Sequence, residues 1–194
     1  MDDEECIRRI RRGEKEYLDN LIRRHYSSIE KYCYWKTGSQ ETAQDITQET
    51  FYRFFRCFDR YTHGGKLRAY LYTIARRLCS DYLQDGRPLA LENADIICGD
   101  DIPMEEAVES GQSVRQMLSV LPPDQREILL LRFVHDMKYR EIAEITGISI
   151  CLVQYKMRRG LTLLRKELER GKELEQAKVK RNGKASAAAP NTSI

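Results

Sequence analysis

Apolar side chains recur at intervals of three and four residues in the patterned segments of this chain of 194 residues. One such stripe lies within residues 18–33, a second within 46–58 and a third within 67–82. That spacing places apolar groups on one face of a helix, whereas a half-buried strand alternates at every second residue. No convincing strand pattern is present, and we therefore predict an all-α fold.

Charge and the distribution of glycine and proline divide the chain. The net charge of +3 hides a segment, 85–110, with eight acidic residues against one basic residue and with Gly86, Pro88 and Pro103. Such a composition without helical spacing is typical of a flexible linker. We expect two small helical domains at 10–84 and 112–170, an acidic linker at 85–111, and a basic, largely disordered tail at 171–194.

Segment 138–159 has the pattern of a helix-turn-helix. Ala143 is a small residue where two helices would touch, Gly147 tolerates the positive φ of a turn, and Val153 is an apolar anchor on the second helix. Ser149 can cap that second helix. Its predicted buried face comprises Ile150, Val153, Met157, Leu161, Leu164 and Leu168.

The other faces of this second helix carry basic and aromatic side chains that suit a DNA major groove. A charged, solvated face on a helical bundle is the alternative, and the Ala-Gly-Val frame favours DNA binding over it. The candidate DNA contacts are Ser149, Cys151, Leu152, Gln154, Tyr155, Lys156, Arg158 and Arg159.

The first domain carries two further candidate surfaces. Between residues 60 and 84, five basic side chains and four tyrosines accompany a loop with Gly64 and Gly65. Basic groups contact phosphates and exposed aromatics stack on unpaired bases, although tyrosines at helical spacing also suit a core. The preceding helix has a polar edge beside four phenylalanines, and this edge is suited to docking a protein.

Several function classes have no support in the sequence. The six cysteines and three histidines lack metal-ligand spacing, and most of the cysteines are predicted core residues in a reducing cytosol. No catalytic triad, paired-carboxylate cleft or phosphate-binding glycine loop is present. No segment approaches the roughly 20 apolar residues of a membrane span, and no secretory signal is present. We expect a cytoplasmic protein without enzyme activity, cofactor, metal or membrane insertion.

The motifs together resemble a known family. DITQETF from Asp45, FDRY from Phe58 and LRAYLYTIARRLCSDY from Leu67 resemble region 2 of the bacterial sigma-70 family. LPPDQREILLLRF from Leu121, followed by the helix-turn-helix, resembles region 4. The short linker makes the chain similar to the extracytoplasmic-function (ECF) type. The resemblance covers about residues 10–170 and implies a sigma factor that binds core RNA polymerase and promoter DNA.

The resemblance also implies roles for individual residues. Region 4 would bind the β flap of the polymerase and recognise the −35 element through the candidate DNA contacts at 149–159. The loop at 61–65 would capture a base extruded from the −10 element. The docking residues for the β′ clamp coiled coil would be Asp45, Gln48, Glu49 and Arg53. The −10 element and its opened strand would be contacted by Arg60, Tyr61, His63, Lys66, Arg68, Tyr72, Arg76 and Arg77.

Two alternatives stay open at this point. A stand-alone helix-turn-helix regulator would explain the second domain, but it would leave segment 45–82 without a role. An enzyme would explain neither domain. The resemblance also leaves room for an anti-sigma factor as a further partner.

Overall fold

The computed structural model describes residues 2–62, 64–84 and 118–186, and side chains as far as residue 170. Every regular element in these ranges is helical, which confirms the predicted fold class. The predicted linker and the candidate residue His63 lie outside the described residues. The helices are α1 (Asp3–Arg11), α2 (Glu16–Thr37), α3 (Gln40–Arg56), α4 (Leu67–Gln84), α5 (Pro123–Phe133), α6 (Tyr139–Thr146) and α7 (Ile150–Ser186), with a 3-10 turn at Phe58–Arg60.

Helices α1 to α4 form the first lobe around an aromatic core. The ring of Phe54 on α3 is fully buried, and its centroid lies 5.6 Å from that of Phe58 and 5.4 Å from that of Tyr61. Ser39 caps α3, because its hydroxyl accepts a 3.3 Å hydrogen bond from the Thr42 amide. This cap fixes the start of α3 and therefore the direction of its outward face.

Helices α5 to α7 form the second lobe, and α6 and α7 have the predicted helix-turn-helix geometry. Gly147 ends α6 in the left-handed conformation, with a φ of 74°, which side chains with a Cβ rarely adopt. The hydroxyl of Ser149 accepts a 3.3 Å hydrogen bond from the Leu152 amide at the start of α7. Val153 is fully buried, as its predicted role as an anchor requires.

The buried face of α7 differs from the predicted one. Val153 and Met157 are buried, and α7 crosses α5 at Gly160, where an added methyl would lie 2.5 Å from Leu129 Cδ1. The close crossing at Gly160 rotates the buried face away from the predicted arc, and a glycine gives no apolar signal in the sequence. Three residues that were predicted to be buried are instead between 40% and 45% exposed: Ile150, Leu161 and Leu168.

The helical structure extends beyond both predicted domain ends. Cys6 and Ile7 of α1 are buried against the first lobe, upstream of the predicted start at residue 10. At the other end, the backbone of α7 stays helical to Ser186, where the sequence predicted a largely disordered tail from residue 171. Residues 172–181 are mostly strong helix formers, and this local preference is the reason for the difference.

The two lobes pack against each other through α4 of the first and α6 of the second. The buried residues of both lobes join one continuous cluster. Two polar residues of the second lobe, Glu127 and His135, lie at this contact and are only 4% and 7% exposed. No sequence pattern indicated that the lobes would touch, because a helical stripe does not identify its partner.

Candidate functional site

The outward face of α3 carries the predicted docking residues. Asp45, Gln48 and Arg53 are exposed, and Arg53 Nε lies 2.6 Å from Oε1 of the half-buried Glu49. Tyr52, which is not among the predicted docking residues, is 58% exposed on the same face. Its position four residues after Gln48 is the signal that could have found it. We call these five residues the docking face.

The −10 candidates separate into two groups. The first surrounds a cavity of 430 Å³ at the end of the 3-10 turn, lined in part by Arg60, Tyr61 and Lys66. Tyr70, which was not among the site candidates, also lines it, and its ring centroid lies 5.1 Å from that of Tyr61. Arg11 of α1 stabilises this loop by donating a hydrogen bond to the Tyr61 carbonyl.

Burial raises the pKa of Tyr61 to about 12, with a smaller contribution from Asp3. The phenol is therefore neutral at physiological pH and can serve as a hydrogen-bond donor. A cavity with two adjacent tyrosine rings and neighbouring cations can hold a flat aromatic group and an anion next to it.

The second group of −10 candidates lies on α4 and faces the second lobe. We call its members Arg68, Tyr72 and Arg76, together with Lys66 just before α4, which also lines the cavity, the strand face. Tyr72, a predicted DNA contact, is fully buried, because the second lobe covers it. Its hydroxyl lies 2.9 Å from His135 Nδ1.

The cations of the strand face contact the second lobe as well. Arg68 donates a hydrogen bond to the His135 carbonyl, and Lys66 pairs with Glu144. Arg76 Nε lies 3.2 Å from Glu127 Oε1. Arg77 points elsewhere and is exposed.

Glu127 has three partners in the first lobe. Its Oε1 accepts hydrogen bonds from the Tyr32 hydroxyl at 2.6 Å and from Lys36 Nζ at 3.2 Å, in addition to the Arg76 contact. Burial by itself would raise the pKa of Glu127, but Lys36, Tyr32 and Arg76 outweigh burial and hold the pKa below its usual 4.5. The carboxylate is therefore ionised at neutral pH.

The outward surface of α7 carries most of the predicted −35 residues. Tyr155 and Leu152 are 56% and 39% exposed, and Arg159 Nη1 donates a 3.1 Å hydrogen bond to the Tyr155 hydroxyl. Because Leu152, Tyr155 and Arg159 are three and four residues apart, they share one side of the helix. We call the exposed set the reading face: Cys151, Leu152, Tyr155, Arg158 and Arg159.

Two of the three remaining −35 candidates have side-chain contacts within the second lobe. Ser149 caps α7, Gln154 is half-buried, and Lys156 pairs with Asp124 in the first turn of α5. Two further exposed cations, absent from the predicted contacts, lie in and just before the first turn of α6: Lys138 and Arg140. Their place at the start of the first helix of a helix-turn-helix suits phosphate contacts.

Within residues 2–62, 64–84 and 118–186, no helix combines the length and apolar character of a membrane span. The same ranges contain no group of three histidine, cysteine or acidic residues that could hold a metal ion. The described cysteines are free thiols, of which Cys6, Cys33 and Cys79 are buried and Cys57 and Cys151 are exposed.

Two family models match the chain in the order in which the lobes occur. Residues 21–88 match Sigma-70 region 2, and residues 111–164 match Sigma-70, region 4. The chain is 26% identical over 176 residues to the ECF RNA polymerase sigma factor SigW of Bacillus subtilis, covering 84% of this chain and 94% of SigW. It is 29% identical over 170 residues to the ECF RNA polymerase sigma factor BldN of Streptomyces coelicolor, covering 82% of this chain and 64% of BldN.

A solved structure shares the fold. CnrH, solved in complex with the cytosolic domain of CnrY, aligns with a TM-score of 0.67 at 20% sequence identity. The alignment covers 86% of this chain and 97% of CnrH. At this identity the likeness concerns the arrangement of the helices.

Proposed function

Because the chain belongs to the sigma-70 family of RNA polymerase sigma factors, of the ECF type, we propose that it binds core RNA polymerase and directs promoter-specific initiation of transcription. The observation that carries the proposal is the occurrence of region 2 and region 4 in one chain, in that order. A stand-alone helix-turn-helix regulator has no use for a region 2. The site of action is the bacterial cytoplasm, where the polymerase works.

The docking face of α3 is the proposed contact with the β′ clamp coiled coil. It combines exposed carboxylate and amide groups with the exposed ring of Tyr52. Exposed aromatic residues surrounded by polar groups are typical of protein interfaces. On the second lobe, Phe133 is 64% exposed and Val134 39% exposed, and this apolar pair is the proposed contact with the β flap.

The cavity at Tyr61 and Tyr70 is the proposed site for a base extruded from the −10 element. Extrusion costs a few kcal/mol, which stacking on the two rings would offset. The strand face beside the cavity supplies cations for the phosphates of the opened strand. Arg60 lines the cavity and extends this positive surface, whereas Arg77 is a separate exposed cation of the same lobe.

The reading face of α7 is the proposed contact with the −35 element. Arg158 and Arg159 can donate to base edges or phosphates in a major groove, while Cys151 and Leu152 offer apolar contacts, for example to a thymine methyl. Lys138 and Arg140 would contact the adjacent backbone. An anti-sigma factor that covers either lobe is a further proposed partner.

Direct binding to core polymerase tests the docking assignment. We expect the purified chain to co-elute with core enzyme, and we expect Gln48→Ala to weaken this binding while leaving duplex DNA binding unchanged. Asn20→Ala is the matched control, because Asn20 is an exposed amide on α2, away from the docking face. No co-elution of the wild-type chain would contradict the proposed function, and equal losses for both variants would contradict the docking assignment.

A further inference from the structure

The turn that leads to the cavity at Tyr61 and Tyr70 contacts a helix outside the matched region 2. Residues 21–88 match that region, whereas α1 ends at Arg11. Arg11 donates a hydrogen bond to the Tyr61 carbonyl. Its guanidinium carbon also lies 5.8 Å from the centroid of the Phe58 ring, within the range of a cation–π contact. Arg11 therefore contacts the first residue of the 3-10 turn and the residue that follows the turn.

The position of α1 on the first lobe is defined by contacts along its length. At its start, Asp3 Oδ1 lies 2.7 Å from Arg24 Nη1 on α2, and Asp3 Oδ2 lies 3.0 Å from His25 Nε2. In its middle, Cys6 and Ile7 are buried in the core. Because the start and the middle of the helix are held, the backbone of its last residue has a defined place beside the turn.

The Tyr61 carbonyl lies where the chain leaves the turn. Tyr61 has an extended backbone, with φ −71° and ψ 118°, and the next residue, Thr62, lines the cavity. The ring of Tyr61 packs against Phe54 and Tyr70, with centroid separations of 5.4 Å and 5.1 Å. These ring contacts orient the side chain, and the hydrogen bond from Arg11 holds the backbone from which that side chain projects.

A preformed position of the Tyr61 ring matters for stacking. Stacking of one base on an aromatic ring contributes about 5-fold to 150-fold in affinity. A ring that must first be ordered loses part of this gain, because its ordering then becomes a cost of binding. Arg11 is absent from the described residues that line the cavity, so it would act on the base through Tyr61.

We propose that Arg11 is a positioning residue for base capture: it holds the Tyr61 backbone against α1 and so keeps the Tyr61 ring ready for an extruded −10 base. The inference rests on the proposed role of this cavity. Loss of the Arg11 side chain should loosen the turn and reduce the contribution of the captured base. Binding to core polymerase should be unchanged, because the docking face lies on α3.

Amide hydrogen exchange of the full chain, measured by mass spectrometry, tests the link between α1 and the turn. The amides of Arg60 and Tyr61 donate hydrogen bonds of 3.0 Å and 3.1 Å within the turn, so their exchange rates report its opening. Loss of one hydrogen bond should make exchange in a peptide covering 58–62 about tenfold faster in Arg11→Ala than in wild type.

Arg12→Ala is the matched control, because Arg12 is the neighbouring exposed arginine and its loss changes the net charge equally. Exchange in this variant should equal that of wild type. Exchange at 58–62 that is unchanged in Arg11→Ala, or equally fast in both variants, would overturn the proposal. The measurement uses no polymerase, so its result does not depend on the proposed function.

Removal of the captured base tests the role of Arg11 in recognition. Holoenzyme is assembled with the full chain, and promoter opening is measured by the permanganate reactivity of unpaired thymines. Single bases of the −10 element are replaced, one at a time, by an abasic site in the non-template strand. At the captured position we expect opening to fall about tenfold with wild type and about twofold or less with Arg11→Ala, because this variant has already lost most of the capture.

The same experiment separates positioning from direct contact with DNA. If Arg11 bound a phosphate, Arg11→Ala would reduce opening of intact and abasic promoters by the same factor, and this result would overturn the proposal. The absence of any abasic effect with wild type would overturn it too. Arg12→Ala should keep the full tenfold effect. A wild-type holoenzyme that opens no promoter would contradict the proposed function and would leave the exchange result unchanged.

Discussion

The Tyr32 hydroxyl of α2 donates a 2.6 Å hydrogen bond to Glu127 Oε1 of α5, across 95 positions of sequence. Both side chains are buried, so neither group can exchange its partner for water without separating the lobes. Burial and the adjacent Glu127 carboxylate raise the pKa of Tyr32 well above its usual 10, so the phenol keeps its proton and remains the donor. This hydrogen bond therefore connects the first lobe to the second.

Tyr32→Phe should weaken this link. A hydrogen bond to a charged group contributes about 1.5–3 kcal/mol, and its loss leaves Glu127 with only Lys36 and Arg76. We expect a loss of that order in the free energy of unfolding, measured by urea denaturation. Tyr26→Phe is the control, because Tyr26 is half-buried and stacks on Phe51, and it should change stability by less than about 0.5 kcal/mol. Equal effects of the two substitutions would contradict the role of the Tyr32 hydroxyl.

Gly160→Ala should destabilise the second lobe. The new methyl would lie 2.5 Å from Leu129 Cδ1 and 3.6 Å from Gln125 Cβ, so the leucine must move within a packed contact. Overpacking costs about 1–3 kcal/mol, against a gain of about 0.5–1 kcal/mol for alanine in a helix. Thermal unfolding should therefore show a lower Tm, whereas Thr162→Ala, at an exposed position two residues along α7, should change it little. A Tm unchanged or raised by Gly160→Ala would mean that α5 and α7 are not in close contact there.

The packing of the two lobes against each other should weaken in acid, because His135 is buried at their contact. Burial, with Arg68 and Lys31 nearby, lowers the pKa of His135 from 6.5 to about 4. The buried site favours the neutral form of the ring. The state that buries His135 therefore has its full stability above pH 6.5, and this stability is lost as the pH falls through about 4. The change in pKa from 6.5 to about 4 corresponds to about 3 kcal/mol in the stability of the packed state.

Nuclear magnetic resonance titration of the His135 ring measures this shift. We expect a midpoint near pH 4 in the wild-type chain and a midpoint closer to 6.5 in Glu127→Gln, where the lobes separate and water reaches the ring. A midpoint near 6.5 in both proteins would show that His135 is not buried between the lobes.

Arg159→Ala should weaken recognition of the −35 element. Arginine contacts to base edges contribute about 1–3 kcal/mol, and the Tyr155 hydroxyl that orients the guanidinium would lose its donor. We expect a reduced affinity of holoenzyme for duplex promoter DNA in a fluorescence anisotropy titration, with core binding unchanged. Arg165→Ala, on the same helix but outside the reading face, should have a smaller effect. If the two alanine variants behave alike, the reading face is assigned wrongly.

Local features of the fold could be predicted from the sequence because their causes are local. Ser39 and Ser149 cap helices, and Gly147 adopts a positive φ, for reasons contained within a few neighbouring residues. The outward positions of Asp45 and Gln48 follow in the same way from the apolar stripe on the other side of α3.

Long-range features could not be predicted in this way. The spacing of apolar residues on α4 does not show whether Tyr72 is buried. Its burial depends on His135 of the second lobe, which lies next to its hydroxyl. Gly160 carries no side chain, so the crossing that sets the buried face of α7 leaves no apolar pattern. Glu127 looks like a solvated residue in an amphipathic helix, whereas its partners come from the other lobe. In each case the deciding neighbour is distant in sequence.

Added to core RNA polymerase, this chain should select promoters. The most direct measurement is transcription of fragmented genomic DNA from the native host by reconstituted holoenzyme, with the 5′ ends of the transcripts sequenced. We expect discrete start sites that share two upstream elements, that are absent with core enzyme alone, and that are reduced by both Gln48→Ala and Arg159→Ala. Start sites identical to those of core enzyme alone would contradict the proposed function.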